Sequence, residues 1–523
     1  MKRILPVLLA LMATAALLFV SCGQGLSADH AEFVMSNGAE PTIDPSLLND
    51  IASTNVDLGL FEGLMQYDPK TNLGDPGMAE SYTVSPDGIT VTFKLRKAEW
   101  SDGHPVTAGD FVYAMKRILD PATASDYAYM PAMVIKGADA FNSGKDTNFD
   151  DVGIKAIDDH TLQYTLIGPT PYFVDMTCHN AFWPLPKWAI DKNGNNWTKP
   201  GNIVTNGPYV LKEWKPQQYV FMVKNNKYWD AKNVHLRSIK ILSSDNQDTN
   251  YNMYTSGSVD WMFGITNAKI DQIKLRPDYQ TSAQVATYYY EFNVTRKPVN
   301  SALVRQALAA AIDKQTLVDK VTKSGQIPTN SMVPPMAGYT QQQGQGYDVA
   351  LAKKLLAQAG YPNGRGFPTI TIVYNTNDTH KAIAEYIQQQ WKTNLNINVT
   401  LRNMEFKTLI DLRTKHDFTV ARAGWVGDYL DPNTFLDLFT TGAGNNDCAY
   451  SNPQYDKDIT QAAITQGDAR MKLLEQAESL LLKDQAIIPL YFYANQDLID
   501  TNKWGGWYST PLGFHPFKYI YKK

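Results

Sequence analysis

Cysteine is scarce in this chain: Cys22, Cys178 and Cys448 are the only three among 523 residues. No CxxC pair and no Cys/His cluster of ligand spacing occurs, so nothing points to zinc. The eight histidines are scattered, with no HExxH. GxSxG and GxxxxGKS/T are also missing, which removes the signs of a nucleophile elbow and of a phosphate-cradling loop. Basic charge is not in excess. Lys and Arg number 48 against 52 Asp and Glu, a net charge of -4, and a nucleic-acid partner needs a basic surface. Past Val20 no apolar run is long enough to span a bilayer. These absences predict no metal, no cofactor, no nucleic acid and no catalysis. They favour a binder over an enzyme.

What is present begins at the N-terminus. Lys2 and Arg3 precede an apolar run from Ile4 to Val20, followed by "SCG". That is the layout of a secretory signal over residues 1–21. Ser21 directly before Cys22 resembles a bacterial lipobox, with Phe19 where leucine is commonest. The resemblance implies a lipid on Cys22 and a body tethered at the extracytoplasmic face of a membrane. A chain of this length exceeds one hydrophobic core, so two or three domains are expected. The 29 Tyr and 11 Trp offer large apolar surfaces with polar tips, suited to cores and to binding sites alike.

Along the chain the first half reads as β-rich. "SYTVSPDGITVTFKLR" and "VGIKAIDDHTLQYTLIG" are hairpins, and "NGPYVLKEWKPQQYVFMVKN" alternates around Lys215-Pro216. Thr107 is placed to cap a helix carrying Phe111, Met115 and Ile118 and ended by Pro121. After about residue 286 strands and helices alternate, which suggests a mostly parallel sheet. "SALVRQALAAAIDKQTLVDKVTKSG" reads as one amphipathic helix with Gly325 past its end. The aromatic segment after Ala494 leaves this pattern and is expected to rejoin the first domain.

The segments "WSDGHPVTAGDFVYAMKRILDP", "NIVTNGPYVLKEW", "NNKYWD", "TYYYEFN", "VRQALAAAIDK", "KKLLAQAGY", "YNTNDTHK", "DFTVARAGWVGDYLDPNTFL" and "AIIPLYFYAN" follow one another from about Met35 to the C-terminus. Together they resemble the periplasmic oligopeptide-binding proteins, the family 5 extracytoplasmic solute receptors of ABC peptide importers. The resemblance implies an α/β, two-lobed, three-domain periplasmic-binding-protein fold with mixed sheets and a hinged cleft. Domain I would comprise 30–61, 187–285 and 494–523, domain II 62–186, and domain III 287–493. The implied partners are short peptides and the permease subunits of an ABC transporter, bound by a monomer.

The resemblance also implies roles for particular residues. Asp428 matches an aspartate that pairs with the peptide ammonium. Arg413, Arg422 and His380 match positions near the peptide carboxylate. A family lysine in that region is replaced by Thr322. Tyr127, Tyr289, Trp425 and Tyr493 match aromatic positions lining the cleft, and Phe406 stands where a tryptophan lines a side-chain pocket. Asn49 and Ile51 match an early segment touching the peptide, where an acid is replaced by Asn49. A weaker preference for basic side chains is then expected. Gly424 would let backbone approach closely, beside Val426.

Physical chemistry agrees with such a division of labour. Charged peptide termini buried in a cleft need opposite charges, and backbone can be held as an added strand. If the segment stays extended, 422, 424, 426 and 428 share a face, with Arg422 and Asp428 roughly 20 Å apart at ~3.3 Å per residue. Trp425 then lies off that face. Each residue keeps a structural alternative: a turn for Asp428, helix-end charge for Arg413, a salt bridge for Arg422, a helix start for His380, core packing for the aromatics. The functional alternatives are a receptor for dipeptides, murein peptides or another solute on this fold, or an interaction lipoprotein of adhesin or chaperone type.

Overall fold

The computed structural model describes residues 26–265 and 269–523. The expected signal segment and Cys22 lie outside the described residues. The fold is α/β. A mixed sheet of eleven strands runs through the described residues, in the order Val399–Met404, Ile370–Asn375, Val420–Val426, Tyr279–Phe292, Ile487–Ile499, Trp261–Phe263, Phe33–Ser36, Ser238–Leu242, Tyr219–Lys224 and Tyr209–Lys215, with Ile327–Pro328 added on Ile487–Ile499. The expected mostly parallel sheet is corrected here. In the second half only Val399–Met404, Ile370–Asn375 and Val420–Val426 run parallel to one another, and Tyr279–Phe292 pairs antiparallel on both sides.

The hairpins form where turn chemistry places them. Ala79–Val84 pairs with Thr90–Leu95 across "SPDG", and Ile154–Asp158 with Thr161–Thr165, giving a separate four-stranded sheet. Thr107 caps the helix Ala108–Leu119, with Asp110 completing a capping box. The single helix expected over 301–325 is broken: Ala302–Ala310 stops, and Lys314–Thr316 opens wider π-type turns over Leu317–Thr322. Asp313 is the reason, because its carboxylate accepts from Thr316 N at 3.0 Å and Thr316 Oγ1 at 2.8 Å. A side chain that satisfies free N–H groups starts a helix rather than continuing one.

The two longest strands, Tyr279–Phe292 and Ile487–Ile499, pair with each other nearly end to end. Their register breaks between Ala283↔Ala494 and Thr287↔Phe492. Ile487–Ile499 and the second half of Tyr279–Phe292, from Ala286 on, are buried on two faces, which accounts for the run Tyr288-Tyr289-Tyr290. Tyr288 and Tyr290 enter one core with Ile372, Ile383 and Trp391, and Tyr289 enters the other with Ala423 and Phe439. Cys178 and Cys448 are buried free thiols and do not pair.

Candidate functional site

The strand Val420–Val426 positions the site. On one side it pairs along its length with Tyr279–Phe292, from Phe292↔Val420 to Ala286↔Val426. On the other it meets Ile370–Asn375 only at Ile372↔Val420 and Val373↔Ala421. From Arg422 onward that edge has no strand partner among the described residues. A free edge of this kind is where an extended backbone can add.

At the start of the free edge stands Arg422. Its Nη2 donates to the Tyr493 hydroxyl at 2.7 Å and its Nη1 to Asn375 Oδ1 at 3.4 Å. The guanidinium lies 4.9 Å from the centre of the Tyr288 ring, and its buried Nε donates to no described residue. It forms no ion pair with an acid among the described residues; its main electrostatic neighbours are Tyr493, Tyr288, Tyr491 and Arg413, and Glu291 feels its charge from further off. His380 is brought to the same place, its Nδ1 3.3 Å from the Tyr288 hydroxyl. Burial, reinforced by Arg422, holds this imidazole well below its usual range, so it is neutral. Gly424 is needed beside them for a local reason: a Cβ there would sit 2.6 Å from the Tyr493 hydroxyl. Tyr288, in register with Gly424, was missed from sequence. The strand register puts it, rather than Tyr289, on the face of Arg422, because directly opposed residues share a face.

At the other end the strand stops at Val426. Gly427 N still donates to Val285 O at 2.9 Å, but Asp428 N turns to Thr434 Oγ1 at 3.0 Å. The Asp428 side chain is 8% exposed, and its Oδ1 accepts from the Tyr127 hydroxyl at 3.3 Å and lies 3.5 Å from His179 Nε2. Tyr67 donates to the Asp428 carbonyl at 3.2 Å. Asp428 Oδ2 is buried and accepts from no described residue. Trp425 is at this end as well, its ring 6.3 Å from that of Tyr127 and its Nε1 donating to Thr434 Oγ1 at 3.4 Å. The expected shared face of Arg422 and Asp428 is therefore corrected: Trp425 stays off the Arg422 face, and Asp428, past the strand end, meets Tyr127 as Trp425 does. Alternation holds only inside the strand, and the turn after Val426 resets it. His179 and Tyr67 carry no motif that would have found them.

Arg413 stands apart, between two acids. Its Nε donates to Glu291 Oε1 at 2.6 Å, and its Nη2 lies 2.8 Å from Asp447 Oδ2. Burial raises the Glu291 carboxyl against the pull of Arg413. Asp447 is pushed up to about 8, by burial first, then by Glu291 and Asp126, with Arg413 opposing. Asn49 Nδ2 donates to Asp126 Oδ2 at 2.5 Å, so a carboxylate stands beside Asn49 after all. Phe406 opens the helix Phe406–Thr414, and Lys407 ties that helix start to Thr42 at 3.0 Å. Ile51 opens the helix Ile51–Leu60, capped by Asp50 through Ser53 N at 2.9 Å. Tyr289 lies against Phe439, ring centres 6.2 Å apart, on the face away from Arg422. Lys323, next to Thr322, turns to Asp271 at 3.1 Å.

The site is thus a bare strand edge with a cation free of acid partners at one end and a half-satisfied carboxylate at the other. The chain is similar to known proteins in sequence and fold. The family model described as "Bacterial extracellular solute-binding proteins, family 5 Middle" matches residues 75–447. The periplasmic oligopeptide-binding protein OppA of Salmonella typhimurium is 38% identical over 536 residues, covering 99% of this chain and 96% of that protein. The crystal structure of a periplasmic oligopeptide-binding protein, OppAIV, from Borrelia burgdorferi is 38% identical and superposes with a TM-score of 0.91, covering 94% of this chain and 99% of that one. The murein tripeptide binding protein MppA of Escherichia coli, 34% identical, gives 0.89 over 94% of this chain and 98% of its own. Its unliganded open form gives only 0.63, at the same identity, over 94% and 97%. With the family model spanning most of the chain and such relatives matching nearly end to end, this protein belongs to the bacterial extracellular solute-binding proteins of family 5.

Proposed function

We propose that the protein is a lipid-anchored receptor, tethered through Cys22, that captures short peptides in a cleft between two lobes and delivers them to an ABC permease. The carrying observation is the free edge from Arg422 to Val426, with Asp428 just beyond it. An extended peptide would add to that edge through its backbone. Its ammonium would meet the unpartnered oxygen of Asp428, and its carboxylate would meet Arg422 and, at another length, the neutral donor His380. Tyr127, Trp425, Tyr289, Tyr493 and Phe406 would wall the cleft, with Asn49, Ile51 and Asp126 closing it from the early segment. Arg413 acts here through the Glu291–Asp447 group more than through the ligand.

In this reading domains I, II and III have the bounds given above, and Tyr127, His179 and Tyr67 reach Asp428 from the 62–186 insert. The low similarity to an unliganded open relative fits an arrangement with the two sides together. Ligand contacts made only in that arrangement would shift an open–closed equilibrium toward it. Native mass spectrometry of protein purified without denaturation tests the reading. Co-purified peptides of a few residues are expected, and their disappearance in Asp428→Ala, with affinity down by about 2–5 kcal/mol in calorimetry. Unchanged affinity in that variant would remove Asp428 from the role.

A further inference from the structure

Asp428 is approached from the insert by a histidine that no motif marked. We propose that His179 is a positioning residue, which aims the Asp428 carboxylate at a ligand ammonium and ties that aim to contact between the two sides of the cleft. The proposal rests on the peptide reading above and adds a residue to it.

The tautomer follows from the neighbours. His179 Nδ1 accepts from Ala181 N at 3.3 Å, so in a neutral ring the proton sits on Nε2. Nε2 is the atom facing Asp428 Oδ1 at 3.5 Å. The imidazole is 4% exposed and packs on the Tyr127 ring at 4.5 Å. Its segment is pinned: Asn180 Nδ2 donates to Pro45 O at 2.8 Å, and Trp183 Nε1 to Cys178 O at 2.8 Å. The ring therefore has little freedom to follow Asp428 and instead holds it.

Tyr127 donates to Oδ1, and His179 Nε2 approaches the same oxygen to 3.5 Å. A hydrogen bond and a ring nitrogen gathered at one oxygen bias the rotation of the carboxyl plane and leave Oδ2 as the free acceptor. That oxygen is buried and unmatched, which is costly until a donor arrives. An ammonium brings three N–H groups and a positive charge. An imidazole at residue 179 suits this task because it presents a single N–H toward Oδ1 and leaves Oδ2 open. A lysine or arginine would compete with the ligand for the same charge. Asp428 hangs on the strand carrying Arg422, whereas His179 and Tyr127 belong to the insert. The orientation therefore exists only while the two are together.

The test is calorimetry on the full chain with trialanine and N-acetyl-trialanine. His179→Phe is expected to lower affinity for trialanine by roughly tenfold to a hundredfold, as for a lost hydrogen bond to a charged group. Affinity for the acetylated peptide should stay where it is in the unaltered protein. His179→Gln, whose amide N–H can replace Nε2–H, should restore trialanine binding to within a few-fold. A merely structural histidine would move both peptides together, and that outcome overturns the proposal. So does a glutamine variant as weak as the phenylalanine one, or a phenylalanine variant as strong as the unaltered protein. Melting curves establish that each variant folds, and His179→Met stands in if phenylalanine does not. If the unaltered protein itself does not distinguish the two peptides, the peptide-ammonium reading fails, and this proposal with it.

Discussion

Arg413 and Arg422 are both drawn into the interior beside the same strand, yet they are opposites. Arg413 is closed between two carboxylates, Glu291 and Asp447. Arg422 has only neutral acceptors, the Tyr493 hydroxyl and the Asn375 amide, and a buried Nε donating to nothing described. Residue type alone would rank them equally as anchors for an anion. Their partners separate them: one guanidinium is consumed by the fold, and the other keeps its charge for something else.

The largest effect should come from breaking the closed set. Arg413→Met leaves Glu291 and Asp447 facing each other in the interior without a cation. A loss of about 3–5 kcal/mol in unfolding free energy is expected from removing one partner of a buried pair, read from denaturant melts. A loss well under 1 kcal/mol would mean that the triad is not structural.

Arg422→Met should do the reverse. The fold should tolerate it better than the Arg413 change, while affinity for a tripeptide with a free carboxylate drops by about 2–5 kcal/mol. A C-terminally amidated tripeptide should lose much less. Equal losses for both peptides would argue that Arg422 only supports Tyr493.

A smaller effect sharpens the comparison through pH. Asp447, pushed up to about 8, holds a proton in the native state that an ordinary aspartate releases near pH 4 in the unfolded chain. Its contribution to stability is therefore complete below that value and is lost as pH rises toward about 8. Asp447→Asn should flatten this part of the stability profile between pH 5 and 9. A variant with the slope of the unaltered protein would place the proton elsewhere, Glu291 being the first candidate.

Much of the frame was legible beforehand. Turn residues announced the hairpins, and Thr107 announced a capped helix, because these signals act over a few residues and need no distant partner. The helix expected over 301–325 failed for a similarly local cause, the Asp313 cap. Sheet direction in the second half was misjudged because alternating strands and helices do not say which strand returns antiparallel. At the site, Tyr288 was passed over for Tyr289. Three consecutive tyrosines on a doubly buried strand look alike until their register against Val420–Val426 is known. Trp425 was set apart from Asp428 by an alternation that ends at Val426.

The sequence by itself determined the absence of catalytic and metal motifs, the strand bearing Arg422, and the likeness that places the chain among solute-binding proteins. These rest on residue identity and short-range pattern. Only the tertiary structure decided which charges are spent and which are free. Glu291, Asp447, His179 and Asp428 come from distant parts of the chain, and the state of a buried charge depends on what surrounds it in space.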